Sequence, residues 1–137
     1  MPFISVIIAT RNRAKALEAI SLPSLAEQTY NDFEVIIWDA SDDDSTKRVV
    51  EKYKSQHPWI DVRYFRAPRK GLASQRNDAV KVVRGNIVLF IDDDSEVSPN
   101  GLNAVIEAFL NPTVKGVGLR VFLPKSCLLY TSPSPRD

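Results

Sequence analysis

Short apolar runs rich in β-branched residues alternate along this chain with segments of helical periodicity, which limits the possible folds more than any other feature. The runs at residues 4–9 and 33–38 do not alternate polar with apolar residues, which is typical of strands buried on both faces. Further strands are predicted at 60–65, 86–91 and 115–121. Because parallel strands in one sheet are joined by right-handed crossovers, this order predicts an α/β fold with a mostly parallel sheet and helices on both faces. The run at 86–91 is the most apolar, so we expect it to be central.

Residues that favour helix ends bound the helical segments. The first helical pattern begins at Ala14, and Pro23 is expected to break or restart it before it ends near Gln28. Three more helices are predicted at residues 46–57, 72–84 and 99–111, each lying between residues that favour helix ends.

Length and composition indicate one globular domain. The chain has 137 residues, and its 18 Lys+Arg against 17 Asp+Glu leave a net charge of +1. This near-neutral charge gives no indication of a nucleic-acid-binding protein, which would carry an excess of basic residues. Cys127 is the only cysteine, which excludes an intramolecular disulfide framework and a Cys-rich zinc site and favours a reducing, cytoplasmic compartment.

No part of the sequence predicts membrane insertion. The longest wholly apolar run is 87–91, far short of the roughly 20 residues that span a bilayer. The first residues carry no basic region before their apolar stretch, so we expect neither a signal peptide nor a transmembrane segment.

The last dozen residues differ from the rest of the chain. Residues 126–137 are rich in Ser and Pro, which is typical of a linker or a non-native tail. We therefore expect a domain over residues 1–125 and an irregular segment over 126–137.

Polar side chains follow the predicted strands. They occur at 10–13, at 39–42, at Arg66 and at 92–94. Ligands of open parallel sheets bind beyond the carboxyl ends of the strands. The sequence therefore predicts that these groups meet at one edge of the sheet.

Three consecutive carboxylates follow the fourth strand. On an extended backbone Asp92 and Asp94 project to one side and Asp93 to the other. A divalent cation would relieve their repulsion, and Mn²⁺ or Mg²⁺ accepts one or two carboxylates together with phosphate oxygens. A solvated acidic turn is the alternative. A calcium loop is excluded, because Val97 replaces the required Gly and Asn103 the closing Glu.

Asp39 and Arg76 are the other charged candidates. Asp39 ends an apolar strand and could accept hydrogen bonds from a ligand base, or could cap its own turn through Ser41. Arg76 shares the predicted helix face of Leu72 and Val80, so we expect it to point inward toward an acidic or phosphate partner. An internal ion pair is the alternative.

Four motifs in order resemble the family-2 glycosyltransferases of GT-A fold. They are the segments 5–13, 35–41, 72–77 and 86–94, and the similarity covers about residues 3–123. The resemblance implies an inverting enzyme that transfers a sugar from a nucleotide diphosphate sugar, by family habit a UDP-sugar, to an acceptor hydroxyl. The acceptor would be a glycan, a lipid-linked molecule or a small molecule.

The resemblance also implies roles for individual residues. Thr10, Arg11 and Asp39 would line the base pocket, and Arg76 would approach the nucleoside. Residues 92–94, called the acidic segment below, would act as the family's DXD motif. Asp93 would bind the ribose region, and Asp94, supported by Asp92, would hold Mn²⁺ or Mg²⁺ on the diphosphate.

The sequence departs from the family pattern in two places. Arg11 stands where members often have Tyr, and Ala40 or Ser41 where they often have Gly. The family's general base and acceptor site lie downstream of the fifth strand, so we expect this chain to be the donor- and metal-binding half of a longer enzyme, whose full length could reach the cytoplasmic membrane face.

Two other classes of protein have the same α/β pattern. A non-catalytic, receiver-like nucleotide- or metal-binding module would carry a pair of acidic residues directly after the first strand. This chain has the sequence Thr-Arg-Asn-Arg there, at residues 10–13. A nucleotidyltransferase would show a Gly-rich phosphate loop there, and none is present.

Overall fold

A computed structural model of the protein describes residues 3–117. Within them, four parallel strands form a single sheet in the order β3-β2-β1-β4. The strands are β1 (Ile4–Thr10), β2 (Phe33–Asp39), β3 (Asp61–Arg66) and β4 (Ile87–Ile91). The predicted α/β class and parallel sheet are confirmed, with strand bounds within one residue of those expected.

Helical segments connect the strands. The first connection contains α1 (Ala14–Ala16), a π-helical segment (Leu17–Ser21) and α2 (Leu22–Ala26). The later helices are α3 (Ser45–Gln56), α4 (Leu72–Val80) and α5 (Gly101–Phe109).

Pro23 does not end the first helical connection; instead a new α-helix, α2, begins beside it, which is the restart predicted as one of the two outcomes. Pro23 lies in the first turn of α2, where a helix tolerates a missing backbone N–H. The turn before it is the π-helical segment, a wider turn that often accommodates an irregularity inside a helix. The chain therefore remains helical from Ala14 to Ala26.

Two hydrophobic clusters cover the two faces of the sheet. One contains Val6 and Ile37 from the strands and packs against the segments 17–25, 50–53 and 102–106. The other contains Ile7, Ile36, Trp38 and Ala79 of α4. Helices on both faces are thus confirmed, and α4 lies opposite the remaining helices.

The expectation that β4 is central is wrong for the part of the chain that is described. Within residues 3–117, β4 pairs only with β1 and forms one side of the sheet, and Phe90 is 42% exposed. The most completely buried strands are β1 and β2 instead.

Several sequence predictions fall at or beyond the last described residue. Residues 115–117 have no regular structure, and the remainder of the predicted fifth strand, like the segment 126–137, lies outside the described residues. Within residues 3–117, no helix is both long enough and apolar enough to cross a membrane.

Glu34 forms a buried polar network near the amino ends of the strands. Its side chain is fully buried and accepts hydrogen bonds from the Ser5 hydroxyl (2.6 Å), the Arg84 backbone N–H (2.9 Å) and Arg63 Nε (2.8 Å). Burial by itself raises the pKa of Glu34, but these hydrogen bonds outweigh it and the pKa lies below its ordinary value of 4.5. The network therefore favours the ionised carboxylate in the folded protein.

This lowered pKa predicts the acid sensitivity of the fold. The stability that ionised Glu34 contributes is fully present above about pH 4.5 and is lost as the pH falls through the lower folded-state pKa. We expect the difference in unfolding free energy between wild type and Glu34→Gln to be constant from pH 5 to 7 and to shrink below about pH 4.5. Urea denaturation at several pH values measures it, and a difference that grows on acidification would contradict the assignment.

Candidate functional site

The strand ends bring the predicted site residues to one edge of the sheet. Thr10 is paired with Asp39, and Asp39 with Arg66, at the carboxyl ends of β1, β2 and β3. Ile91, the last residue of β4, is paired with Ile8 of β1, and the Thr10 hydroxyl donates to Asp93 at 2.8 Å. Asp39 and the acidic segment therefore lie at the same edge, as the sequence predicted.

Asp39 is fully buried and has partners for both carboxylate oxygens. Oδ1 accepts the Ser41 backbone N–H at 2.9 Å, which is the turn cap considered as an alternative role. Oδ2 accepts the Tyr64 hydroxyl (2.5 Å) and Arg66 Nη1 (3.1 Å). Burial and the hydrogen bond to Asp39 raise the pKa of Tyr64 to about 12, so its phenol remains a donor at neutral pH. Arg66, whose side chain is 45% exposed, is the most exposed of these partners.

The loops after β1 and β2 are joined by reciprocal hydrogen bonds. Asn12 Nδ2 donates to Asp42 at 2.9 Å, and the Asp42 backbone N–H donates to Asn12 Oδ1 at 2.9 Å. Asn12 has a φ of 57°, a left-handed conformation that Asn adopts more readily than most residues. Its backbone N–H donates to Ser41 Oγ, and Arg11 pairs with Asp42 at 3.2 Å. These contacts fix both loops, and they direct Arg11 toward Asp42.

The three consecutive carboxylates differ in exposure. Asp93 is buried, whereas the side chains of Asp92 and Asp94 are 61% and 48% exposed. This matches the predicted alternation along the chain. Burial raises the pKa of Asp93, and the Thr10 hydrogen bond together with the charge of Arg13 offsets only part of that effect. Asp92 pairs with Arg76 at 3.2 Å, and Asp94 with Arg13 at 3.1 Å.

The inward face of α4 differs from the predicted one. Leu72 and Val80 are 52% and 41% exposed, whereas Gln75 and Ala79 are buried. Arg76 is partly exposed, and its guanidinium lies over the Phe90 ring at 5.4 Å while it pairs with Asp92. Arg76 therefore forms an ion pair within the chain, which was the alternative considered, but the pair is exposed rather than internal, since the Asp92 side chain is 61% exposed.

Gln75 holds together two of the strand ends. Its side-chain amide nitrogen donates to the carbonyls of Thr10 and Trp38, each at 3.1 Å. Both carbonyls belong to residues at the carboxyl ends of neighbouring strands. Sequence reasoning missed this residue; the signal was a polar residue four positions before Ala79 on the same helix face.

Gln28 fixes the loop that follows the acidic segment. Its amide nitrogen donates to the carbonyls of Val97 (3.2 Å) and Ser98 (2.7 Å), and its Oε1 accepts the Leu102 N–H. The loop between β4 and α5 is thereby attached to the end of the first helical connection. No sequence pattern pointed to this contact, because the partners are about 70 residues apart.

The donor set fits a divalent cation shared with a ligand. Among residues 3–117, no three His, Cys, Asp or Glu side chains form a protein-only metal cage. Asp92 and Asp94 nevertheless offer two exposed carboxylates at the strand end. Mg²⁺ and Mn²⁺ commonly take one or two carboxylates and complete their coordination with phosphate oxygens and water.

An open cleft of about 650 Å³ adjoins the joined loops. It lies between the start of α1 and the start of α3, and Asn12, Arg13, Asp42 and Thr46 are among its lining residues. Of the residues around the acidic segment, it includes only Arg13. The candidate site around Thr10, Asp39 and residues 92–94 is therefore identified by its polar contacts and not by the shape of this cleft.

Comparison with known proteins gives consistent matches. Residues 5–134 match the family model described as "Glycosyl transferase family 2". One curated relative is the poly(ribitol-phosphate) β-N-acetylglucosaminyltransferase TarS of Staphylococcus aureus, which is 34% identical over 94% of this chain and 24% of its own length. Another is the GalNAc(5)-diNAcBac-PP-undecaprenol β-1,3-glucosyltransferase of Campylobacter jejuni, 30% identical over 78% of this chain and 34% of its own length.

Solved structures resemble the chain in the same way. A mannosyltransferase from Pyrobaculum calidifontis, in complex with GDP-Man and Mn²⁺, superposes with a TM-score of 0.77 at 28% identity, covering 82% of this chain and 34% of that chain. S. aureus TarS 1-349 in complex with UDP-GlcNAc gives 0.69 at 29% identity, covering 86% and 37%. The chain spans about a third or less of the length of these relatives.

Proposed function

This chain belongs to glycosyl transferase family 2, and from that premise we propose that it is the donor-binding half of an enzyme that transfers a sugar from a nucleotide diphosphate sugar to an acceptor hydroxyl. The proposed reaction inverts the anomeric centre, and UDP is the proposed nucleotide. The observation that carries the proposal is the convergence of Thr10, Asp39 and the acidic segment at one edge of the sheet.

The proposed base pocket lies at the ends of β1 and β2. Asp39 is a hydrogen-bond acceptor held by the Ser41 N–H and the Tyr64 hydroxyl, so it suits a base that presents a ring N–H. Uracil and guanine both do so, whereas adenine presents a ring acceptor at the equivalent position. Thr10 and Arg11 would complete this pocket, and the exposed position of Arg66 allows a base to share the Asp39 oxygen.

The proposed diphosphate site lies at the end of β4. Asp94, with Asp92, would hold Mn²⁺ or Mg²⁺, and Asp93 and Arg76 would contact the ribose and the nucleoside. The metal, when bound, neutralises negative charge on the departing nucleoside diphosphate. The residues around it do the positioning: the Thr10 hydroxyl orients Asp93, and Gln75 keeps the ends of β1 and β2 at a fixed separation.

The acceptor side of the reaction remains a prediction. The general base and the acceptor site are expected downstream of the fifth predicted strand, as family resemblance implies. The relatives are named for an undecaprenol-linked glycan and for poly(ribitol-phosphate), so a lipid-linked or polymeric acceptor is the proposed class. The cytoplasmic location, at the membrane face in the full-length protein, also stays a prediction.

Calorimetry with UDP tests the proposal. We expect UDP to bind at least about tenfold more tightly with Mn²⁺ or Mg²⁺ than with a chelator, because the Asp94 and Asp92 carboxylates would hold a cation that also attracts the diphosphate. Asp94→Ala should remove this metal dependence. Asp61→Ala, an exposed carboxylate at the other end of the sheet, should not change it.

Two outcomes would contradict this assignment. UDP binding of equal strength with and without metal would contradict the assignment of Asp94 as a metal ligand. Binding of Mg²⁺ with no binding of UDP under any condition would favour the receiver-like, non-catalytic module instead.

A further inference from the structure

Arg13 bridges two members of the acidic segment. Its Nη2 lies 3.1 Å from Asp94 Oδ2, and its Nε lies 3.4 Å from Asp93 Oδ1. One guanidinium therefore contacts both the buried carboxylate and one of the exposed carboxylates proposed to hold the metal. Of the three carboxylates, Arg76 pairs with Asp92, at 3.2 Å.

The backbone of Arg13 is anchored on both sides. Its carbonyl accepts the Leu17 N–H at 3.1 Å, which begins the first helical connection. The preceding residue, Asn12, is held by Ser41 and Asp42. The side chain itself is 51% exposed, so the guanidinium can leave the carboxylates without disturbing its own main chain.

The charges of the cluster determine how the contact of Arg13 with Asp93 and Asp94 affects the binding of a metal ion. Three carboxylates lie beside two guanidinium groups, which leaves one net negative charge in the cluster. A divalent cation bound at Asp94 would lie close to the Arg13 guanidinium, and like charges at such short range repel strongly. Metal binding and the Arg13 contact therefore compete for the same carboxylate oxygens.

We propose that Arg13 is the built-in counterion of Asp93 and Asp94 and that a divalent cation must displace it. This proposal rests on the proposed function, because it assumes that the acidic segment holds the metal. It follows that the protein without nucleotide binds the metal weakly, and that the diphosphate supplies the additional oxygens that make displacement favourable.

Titration with Mn²⁺ alone, followed by the electron paramagnetic resonance signal of free Mn²⁺, tests the proposal on the 137-residue chain. We expect Arg13→Gln to bind Mn²⁺ about tenfold more tightly than wild type at low ionic strength, because a competing positive charge is gone. Arg84→Gln is the matched control. It removes the same charge from an exposed pair with Asp61 at the opposite end of the sheet, and should stay within about twofold of wild type.

A charge-conserving variant separates electrostatics from shape. Arg13→Lys should bind Mn²⁺ within about threefold of wild type, since it keeps the competing charge. Tightening in Arg13→Lys equal to that in Arg13→Gln would overturn the proposal. Unchanged, weaker or undetectable Mn²⁺ binding by Arg13→Gln would also overturn it. Thermal unfolding confirms that each variant is folded, and Arg13→Met, which keeps the aliphatic stem, gives the same test if the Gln variant does not fold.

One further measurement distinguishes this proposal from the proposed function. Wild type is titrated with UDP in the presence of Mn²⁺. Failure of UDP to bind would overturn the proposed function and this inference together. Metal-dependent UDP binding, combined with no tightening of Mn²⁺ in Arg13→Gln, would overturn only the role given to Arg13.

Discussion

Replacing Glu34 by alanine is expected to lower the free energy of unfolding by about 3–5 kcal/mol, because it removes the carboxylate of a largely buried charge pair and leaves Arg63 without this counterion, with its hydrogen bond to the Val82 carbonyl retained. Arg63, whose side chain is 19% exposed, would lose both its contacts to the carboxylate. The Ser5 hydroxyl and the Arg84 N–H would lose their shared acceptor. Each buried donor left without an acceptor adds to the cost of the substitution.

Urea denaturation measures this loss. Asp61→Ala is the control, because its pair with Arg84 is exposed, at 3.5 Å, and pairs of that kind contribute little. We expect the midpoint of Glu34→Ala to fall well below that of wild type and of Asp61→Ala, with an unchanged slope. A loss below about 1 kcal/mol would mean that the cost of burying the charges offsets nearly all of their attraction.

Replacing Asp39 by asparagine is expected to weaken UDP binding in the presence of Mn²⁺ by roughly 10- to 100-fold. Asparagine can still accept the Ser41 N–H, but its amide nitrogen cannot accept hydrogen bonds from Tyr64, Arg66 or a base. A hydrogen bond to a charged acceptor contributes about 1.5–3 kcal/mol, which gives this range of affinity. Calorimetry with UDP measures the change.

Asp43→Asn provides the matched control for Asp39. Asp43 lies in the loop that follows Asp39, is exposed, and accepts local hydrogen bonds from the backbone N–H and the side chain of Ser45, so its variant should bind UDP within about twofold of wild type. Urea denaturation of Asp39→Asn verifies that the variant is folded under the conditions of the titration. An affinity for UDP within threefold of wild type in a folded Asp39→Asn variant would contradict the assignment of Asp39 to the base pocket.

The order of strands and helices followed from local patterns in the sequence. Apolar runs such as 35–38 identified the strands because a strand buried on both faces needs apolar side chains on both. Period-two alternation also predicted that Asp93 would differ from its neighbours, and it is the buried member of the three. Such features depend on residues close together in the chain, so one sequence is sufficient to predict them.

Predictions about packing were less successful. The strand with the most apolar sequence, β4, forms one side of the described sheet, since strand order depends on pairing rather than on composition. On α4, Gln75 is buried where Leu72 is exposed, because an amide that satisfies two backbone carbonyls is favourable at a position close to two strand ends. Helical periodicity cannot detect such a partner.

The sequence by itself determined the α/β class, the succession of elements and the set of polar residues that follow the strands, because these depend on local periodicity and on the rule that parallel strands end at a common edge. Only the tertiary structure decided how those residues are paired. Arg13 contacts Asp93 and Asp94, and Thr10 contacts Asp93, across 80 to 83 residues of chain. Such pairings are set by distances of about 3 Å between side chains of different elements, and they exist only once the sheet has assembled.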